Sequence, residues 1–187
     1  MDTPNSENII NEAEAKHWYA MRVVGYMADG KIRQQLDEAG IRYYMPMREV
    51  ARVVHGKTVK MVVPVAAGLM FTYGSESEIL VHTQRSSNRF QFLIPRGGHI
   101  RDRIVIRDEE MDSFISVAES KLKHDYITVE EAKRAVGKKV KILGGVFNNV
   151  IGKLVSPPRG KKQTLIVEVE GLMAVSVQLT PDLIQVL

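Results

Sequence analysis

The spacing of apolar side chains along the 187-residue chain predicts a strand and then a helix at the start of its ordered part. Residues 17–24 are rich in β-branched and aromatic side chains and stop at Gly25, which is typical of a strand. Asp29 is a suitable helix N-cap. Apolar residues then recur at helical spacing, at Ile32, Leu36 and Ala39. Gly40 follows them and is suited to a helix C-cap.

Extended segments follow this helix. Residues 49–54 and 58–63 flank His55-Gly56-Lys57, whose turn chemistry predicts a β-hairpin with a basic tip. Short runs of β-forming residues predict further strands at 41–45, 68–73, 79–82, 90–94 and 103–106.

The period becomes helical again at residues 108–122. Acidic residues open this segment and lysines close it, as the helix dipole favours. Its apolar stripe consists of Met111, Phe114, Ile115, Ala118 and Leu122. The order strand, helix, several strands, helix predicts an α+β domain over residues 16–122, with an antiparallel sheet covered by helices.

The remaining chain is predicted to form a second, smaller domain. Residues 123–134 are polar and serve as a linker, within which Thr128 and Glu131 form a capping-box pattern for a short helix. Residues 135–187 then carry short β-rich runs separated by turn residues, at 139–143, 150–156, 164–170, 173–179 and 184–187. Five short strands of this kind predict a small β-barrel.

Composition limits the classes of protein that this chain can represent. It is 44% hydrophobic and 26% charged, as ordinary globular domains are, and it has no cysteine, which excludes disulfides, thiolate metal sites and a cysteine nucleophile. The longest apolar run, residues 61–71, contains Pro64 and Gly68 and is much shorter than the roughly 20 residues of a membrane span. Residues 1–15 carry four acids and no base, so we expect a mobile tail without a secretory signal and a cytoplasmic protein.

Positive charge is concentrated in the first domain. Residues 16–107 carry 15 Lys and Arg against 7 Asp and Glu, residues 108–134 carry 4 against 8, and residues 135–187 carry 7 against 3. An excess of eight positive charges is compatible with a face that binds nucleic-acid phosphate. Scattered bases that only solvate the fold would give the same count.

Motifs for catalysis are missing. Gly56-Lys57-Thr58 resembles the end of a phosphate-binding loop, but Ala51 stands where that loop needs its first glycine. The five histidines are widely separated, and no Gly-x-Ser-x-Gly sequence occurs. The acids at 108–112 are explained by helix capping. We therefore expect a non-enzymatic binding protein without a metal or cofactor.

Residues 140–154 resemble a KOW motif, in which two strands flank a glycine-rich turn that carries a phenylalanine. The matching positions are Gly145, Phe147, Asn149 and Gly152. The family usually has glycine at the position of Asn149. Because Asn tolerates positive φ better than other non-glycine residues, we expect the turn to be retained.

Upstream residues occur in the order of a NusG amino-terminal domain: Trp18-Tyr19, Pro46, Gly56-Lys57 and the segment at 64–71. Together with the KOW segment, the resemblance covers about residues 17–187 and implies an SH3-like barrel for the second domain. The chain thus resembles a NusG-family transcription elongation factor. Ala67 and Leu69 stand where the family normally has proline and tyrosine, and these departures are similar to the specialised antiterminators of the UpxY and RfaH kind.

The resemblance implies two contacts with RNA polymerase. An apolar concavity would grip the clamp helices of the largest subunit, and its lining would include Ala20, Arg22, Leu69 and Phe71. The segment Val81-His82-Thr83-Gln84 resembles one that touches the gate loop of the other large subunit, which points to His82 and Thr83. Judged by residue type alone, Leu69 and Phe71 are more typical of a core, and His82 and Thr83 of the end of a strand.

The resemblance also places the first helix and the hairpin near the non-template DNA strand. The candidate contacts are Lys31, Arg33, His55, Lys57 and Arg85, for which solvated surface is the alternative. The implied factor is a monomer that bridges the polymerase cleft. Its barrel recruits a ribosomal protein or a termination factor, and the glycines and prolines of this barrel disfavour an all-helical alternative.

Three functions remain open from the sequence. The first is an antiterminator acting on particular long operons, such as surface-polysaccharide clusters. The second is a housekeeping elongation factor that acts on nearly all transcripts. The third is a ribosome-associated or RNA-binding KOW module that does not contact polymerase.

Overall fold

A computed structural model describes residues 15–25, 28–99, 101–156, 162–169, 171–180 and 183–187. Contacts divide the chain into two compact units between Val105 and Ile106. Apart from Ala15, the predicted acidic tail lies outside the described residues.

The first unit contains an antiparallel sheet covered by two helices. Its strands follow the order β2-β5-β1-β6, β7 also pairs with β1, and β3 and β4 form a separate two-stranded sheet. The elements are β1 (His17–Val23), α1 (Ala28–Glu38), β2 (Arg42–Tyr44), β3 (Met47–Val54), β4 (Lys57–Pro64), β5 (Leu69–Gly74), α2 (Glu76–Arg85), β6 (Phe90–Phe92) and β7 (Val105–Ile106), at whose centre the unit boundary falls.

One face of the central strands forms the main core of this unit. Met21 of β1 and Met70 of β5 are fully buried and are paired across the two strands. Ile32 and Leu36 of α1 and Ile79 of α2 pack into the same cluster. The helical stripe predicted from the sequence therefore supplies the cover for this face.

The end of α1 confirms the predicted glycine cap. Gly40 has φ of +67°. Its N–H donates to the carbonyl oxygen of Asp37 at 3.0 Å, and the N–H of Ile41 donates to that of Leu36 at 2.9 Å. This pair of bonds is the Schellman arrangement, which satisfies the last carbonyls of a helix.

The strand predicted at 79–82 is wrong, because these residues lie inside α2. Ser75 caps the helix: its Oγ accepts the N–H of Glu78, and the Glu78 carboxylate accepts the N–H of Ser75. Ile79 and His82, three residues apart, form its buried side. The capping box and the helical spacing outweigh the β-branched side chains of the segment.

The second unit is an antiparallel sheet with two helices. Its strands follow the order β13-β9-β10-β11-β12-β8. The elements are α3 (Asp108–Ala118), β8 (His124–Ile127), α4 (Val129–Arg134), β9 (Lys138–Leu143), β10 (Ile151–Val155), β11 (Gln163–Val169), β12 (Met173–Leu179) and β13 (Leu183–Val186). The five strands predicted in this region are confirmed, and they form an antiparallel sheet as expected.

The segment at 123–134 is more structured than a linker. Its β8 forms an edge strand that pairs with β12. The capping box that begins α4 is confirmed, since Thr128 Oγ1 accepts the N–H of Glu131 at 3.1 Å. Hydrogen bonds from Thr128 lower the pKa of Glu131. This part of the chain belongs to the second unit.

Helix α3 also differs in its placement from the prediction. We expected it to cover the sheet of the first domain, yet it lies in the second unit and packs against β10, β11 and β12. Met111, Phe114 and Val117 are fully buried, and Ser113 Oγ accepts the N–H of Ile151 at 3.0 Å. An apolar stripe predicts that a helix face is buried but not which sheet it meets, so the predicted boundaries at 122 and 135 differ from the observed division.

Candidate functional site

Strands β1 and β5 bring the four predicted lining residues together. Ala20 is paired with Phe71 and Arg22 with Leu69, in alternate rows of the ladder that are separated by the pair of Met21 and Met70. Directly opposed residues on neighbouring strands point to the same side of a sheet, so all four share the face opposite the main core.

This face is not an open apolar hollow, which corrects the expectation from the sequence. Ala20 and Phe71 are fully buried and Leu69 is 9% exposed, whereas Arg22 is exposed. The physical reason is that the large apolar side chains of these central strands, Trp18, Leu69 and Phe71, are themselves buried on this face. In this conformation, Arg22 is the one member of the predicted set that solvent reaches.

Residues that sequence reasoning missed lie on the same face. Trp18 is paired with Tyr73, and the guanidinium carbon of Arg42 lies 4.8 Å from the Trp18 ring centroid and 5.9 Å from that of Tyr73. Such cation–π contacts stabilise the edge of the sheet. Nothing in the spacing of these residues signals that they meet, because β2 joins β5 only through the tertiary fold.

His82 is buried in the first unit instead of lying at a surface strand end. It is 6% exposed, and the carboxamide nitrogen of Gln35 lies 2.9 Å from its Nδ1. An amide nitrogen donates, so Nδ1 accepts and the imidazole is neutral in this arrangement. Burial, and then the charge of Arg85, lowers the pKa of His82. The residue joins α2 to α1 and is not available for a surface contact.

Thr83, its predicted partner, lies at a groove. Its side chain is half-buried and donates to the carbonyl oxygen of Leu80 at 2.8 Å. The groove has a volume of about 310 Å³ and mixes apolar side chains with amides, being lined by Leu80, Thr83, Gln84, Asn88, Phe90, Gln91, Phe92, Ile94 and Arg103. Such a lining suits a protein segment that presents both apolar and hydrogen-bonding groups.

The predicted nucleic-acid contacts are mostly exposed. Solvent reaches Lys31, His55, Lys57 and Arg85, and Arg33 is half-buried. The hydrogen bond between Gln35 and His82 holds α1 beside α2, which carry three of these bases. His55 and Lys57 belong instead to the separate sheet of β3 and β4.

The turn between β9 and β10 has the geometry expected for the KOW-like residues. Gly145 has φ of +67° and Asn149 has φ of +68°, which confirms that asparagine occupies the left-handed position. Phe147 is 4% exposed within the second unit. At Gly152 a Cβ atom would lie 2.7 Å from the carbonyl oxygen of Ile166, so close packing of β10 on β11 requires glycine there.

Neither a membrane-spanning helix nor a metal site is found in the part of the chain that the structure describes. No helix there is long and apolar enough to span a membrane. No group of three or more His, Asp and Glu side chains within those residues could hold a metal ion.

Comparison with protein families gives a match. The family model described as "Transcription termination factor nusG" matches residues 16–115, just over half of the chain. No curated protein matches significantly.

We predict that Asn149→Ala lowers the free energy of unfolding by about 1 kcal/mol, because a Cβ-bearing residue without a local hydrogen-bonding group is strained at positive φ. The free energy of unfolding of Asn149→Gly should stay within a few tenths of a kcal/mol of that of the parent. Chemical denaturation followed by far-UV circular dichroism measures both variants. Equal losses in the two would contradict this account of the turn.

We predict that acidification destabilises the first unit through His82. Its pKa is lowered in the folded state, so as pH falls below about 6.5 the unfolded chain takes up a proton more readily than the folded one. The contribution of His82 to the free energy of unfolding is therefore present above that pH and is lost below it. Fluorescence of Trp18, the only tryptophan, reports unfolding of this unit between pH 7.5 and 5.5.

The matched variant is His82→Asn, whose carboxamide oxygen can still accept from Gln35 but does not titrate. Its stability should fall less steeply with decreasing pH than that of the parent. Parallel curves would show that His82 does not carry the pH dependence.

Proposed function

This chain belongs to the NusG family of non-enzymatic transcription elongation and termination factors, and we propose that it is a specialised antiterminator that bridges the cleft of RNA polymerase. The observation that carries the proposal is the family match over residues 16–115, which includes the whole central sheet of the first unit. NusG-family membership implies binding to RNA polymerase. The particular contacts below are our proposals.

The first proposed contact is between the face shared by Ala20, Arg22, Leu69 and Phe71 and the polymerase clamp helices. The shared register of β1 and β5 supports it, because it gathers these side chains at one place. Phe71 is fully buried, so its own contact requires a conformation in which this face is exposed. Arg22 is already exposed and can approach an acidic residue of the polymerase directly.

The second proposed contact is between the groove at Thr83 and the gate loop of the other large subunit. The groove supports a protein ligand because residues with amide side chains, such as Gln84 and Asn88, line it together with the apolar Phe92. His82 has the different role of holding α2 against α1, and so positions the groove without touching its occupant.

The third proposed contact is between the basic residues of the first unit and the non-template DNA strand. It is supported by the excess of positive charge in residues 16–107 and by the exposure of most candidate bases, which are Lys31, Arg33, His55, Lys57 and Arg85. These side chains would act mainly through phosphate charge, which carries no sequence information by itself.

Bridging two sides of the cleft would favour the closed, elongating polymerase over the paused one. A ligand shifts a conformational equilibrium only by its difference in affinity for the two states. A difference of about 1.4 kcal/mol changes the balance tenfold, so modest contacts are sufficient for antitermination.

The second unit would recruit a further partner through its KOW-like sheet. The KOW assignment is supported by the left-handed Asn149 and the closely packed Gly152. A ribosomal protein or a termination factor is the partner that the resemblance implies. We propose that the whole factor acts as a cytoplasmic monomer.

The specialised UpxY and RfaH type is supported by departures from the usual family sequence. Ala67 and Leu69 replace proline and tyrosine beside the proposed polymerase contact. A factor that acts on particular operons, for example surface-polysaccharide clusters, needs a contact surface that differs from that of the general factor.

We predict that purified core RNA polymerase captures the full-length protein and that Arg22→Glu weakens this capture at least tenfold, by about 1.4 kcal/mol. The charge is reversed on an exposed residue next to Leu69, so the fold is retained. Phe71→Glu is unsuitable, because a charge placed at a fully buried position would unfold the domain.

Arg96→Glu is the matched control, since Arg96 is also exposed in the first unit but lies after β6 and outside the proposed face. Both variants are first compared with the parent by Trp18 fluorescence. An equal effect of the two substitutions would rule out the proposed face as a polymerase contact. If polymerase does not capture the parent, only an RNA-binding or ribosome-associated role is left.

We predict that chromatin profiling of the tagged protein finds it on few transcription units, and that deletion reduces readthrough on those units alone. Occupancy of nearly all transcribed genes would identify a housekeeping factor instead. Unchanged readthrough in nascent transcripts after deletion would rule out antitermination.

A further inference from the structure

The hairpin of β3 and β4 is a two-stranded ribbon with two solvent-facing sides. Its strands pair over eight rows, from Met47 with Pro64 to Val54 with Lys57, and make a sheet of their own. Every residue from 51 to 62 is exposed. His55 and Gly56 form the turn with φ of +50° and +74°, which suits a two-residue hairpin loop.

The register assigns each side chain of this ribbon to one of two faces. We call one the basic face; it carries Arg48, Val50, Arg52, Val54, Lys57, Val59, Met61 and Val63. We call the other the paired face; it carries Met47, Glu49, Ala51, Val53, Thr58, Lys60, Val62 and Pro64.

Charge differs sharply between the two faces. The basic face has three bases and no acid. On the paired face, Lys60 Nζ lies 2.8 Å from Glu49 Oε1, so the single base and the single acid of that face neutralise each other. The hydrogen bond to Glu49 raises the pKa of Lys60. An anionic partner is therefore attracted to one side of the ribbon.

The dimensions of the ribbon match those of double-stranded DNA. Eight residues per strand extend about 26 Å, and successive rows on one face are about 7 Å apart. Arg48 and Arg52 thus lie about 13 Å apart along the strand, and Lys57 continues the series one row further on. The DNA major groove is about 12 Å wide and admits a two-stranded β-ribbon.

The composition of the ribbon favours a duplex over other anionic partners. Residues 47–64 contain no Phe, Tyr or Trp. Binding of single strands relies on aromatic side chains that stack on bases, and protein interfaces rely on aromatic anchors at their centre. A face with bases and small aliphatic side chains can bind the phosphates of a duplex without either.

We propose that the basic face of the hairpin binds double-stranded DNA through phosphate contacts of Arg48, Arg52 and Lys57. The inference rests on the proposed function only for nucleic acid as the class of partner, and it replaces the non-template strand by duplex DNA as the partner of Lys57. It adds two residues that the sequence did not single out. It also specifies which side of the ribbon meets the DNA and that the strands there are paired.

The test is binding of the full-length protein to a fluorescein-labelled 30-base-pair duplex, measured by anisotropy over a series of salt concentrations. Arg52→Gln and Lys60→Gln each remove one positive charge from an exposed position of the same hairpin, on opposite faces. We expect Arg52→Gln to weaken binding about tenfold at low salt and to reduce the slope of log K against log salt by about 0.9. Lys60→Gln should leave the slope unchanged.

Three results would overturn the proposal. Equal losses in the two variants would show that the ribbon acts only by its net charge. An unchanged salt slope in Arg52→Gln would show that the basic face does not bind DNA. If that variant also lost capture by polymerase, the basic face would bind a protein instead. Tighter binding of the parent to the single strand of the same sequence would exclude the duplex.

Failure of the proposed function is distinguishable from failure of this inference. If polymerase does not capture the parent protein, the proposed bridging of the polymerase cleft is ruled out. A difference between Arg52→Gln and Lys60→Gln on the isolated duplex would still stand, because that measurement contains no polymerase.

Discussion

The antiparallel pairing of β1 with β5 is the interaction on which the first unit depends. Six residue pairs join these central strands, and both faces of the pair are buried. One face receives the apolar stripes of α1 and α2. The other gathers Ala20, Phe71 and Leu69, so the same register that builds the core also assembles the face that we propose as a polymerase contact.

On the central strands β1 and β5, Arg22 is the one exposed residue. The hairpin differs, since every residue from 51 to 62 is exposed and β3 and β4 form a sheet of their own. Such an isolated ribbon gains little from hydrophobic burial, and its exposed valines and arginines have no structural purpose that requires them on the outside. The proposed contacts with a protein and with a nucleic acid would use these two parts of the unit separately.

In the second unit, a single helix covers one face of the sheet. Six short antiparallel strands leave a face that needs cover, and α3 supplies it with fully buried side chains and a hydrogen bond from the first N–H of β10 to Ser113. The turn after β9 contains three residues at positive φ, Gly144, Gly145 and Asn149, and glycine and asparagine are the residues that tolerate this conformation best.

Local chemistry predicted much of this structure, because it needs only neighbours in the chain. Spacing and turn residues predict the α1 stripe with its Gly40 cap, the hairpin turn, the capping box at Thr128 and five of the six strands of the second unit, all but β8. Helix α2 was predictable in principle from Ser75 and Glu78, a capping box that the β-branched residues after it obscured. The tertiary fold was needed for what depends on distant partners: the burial of Phe71 and His82, the contact of Gln35 with His82, and the sheet that α3 covers. An amphipathic pattern states that a face is buried, but it carries no information about which surface will bury it.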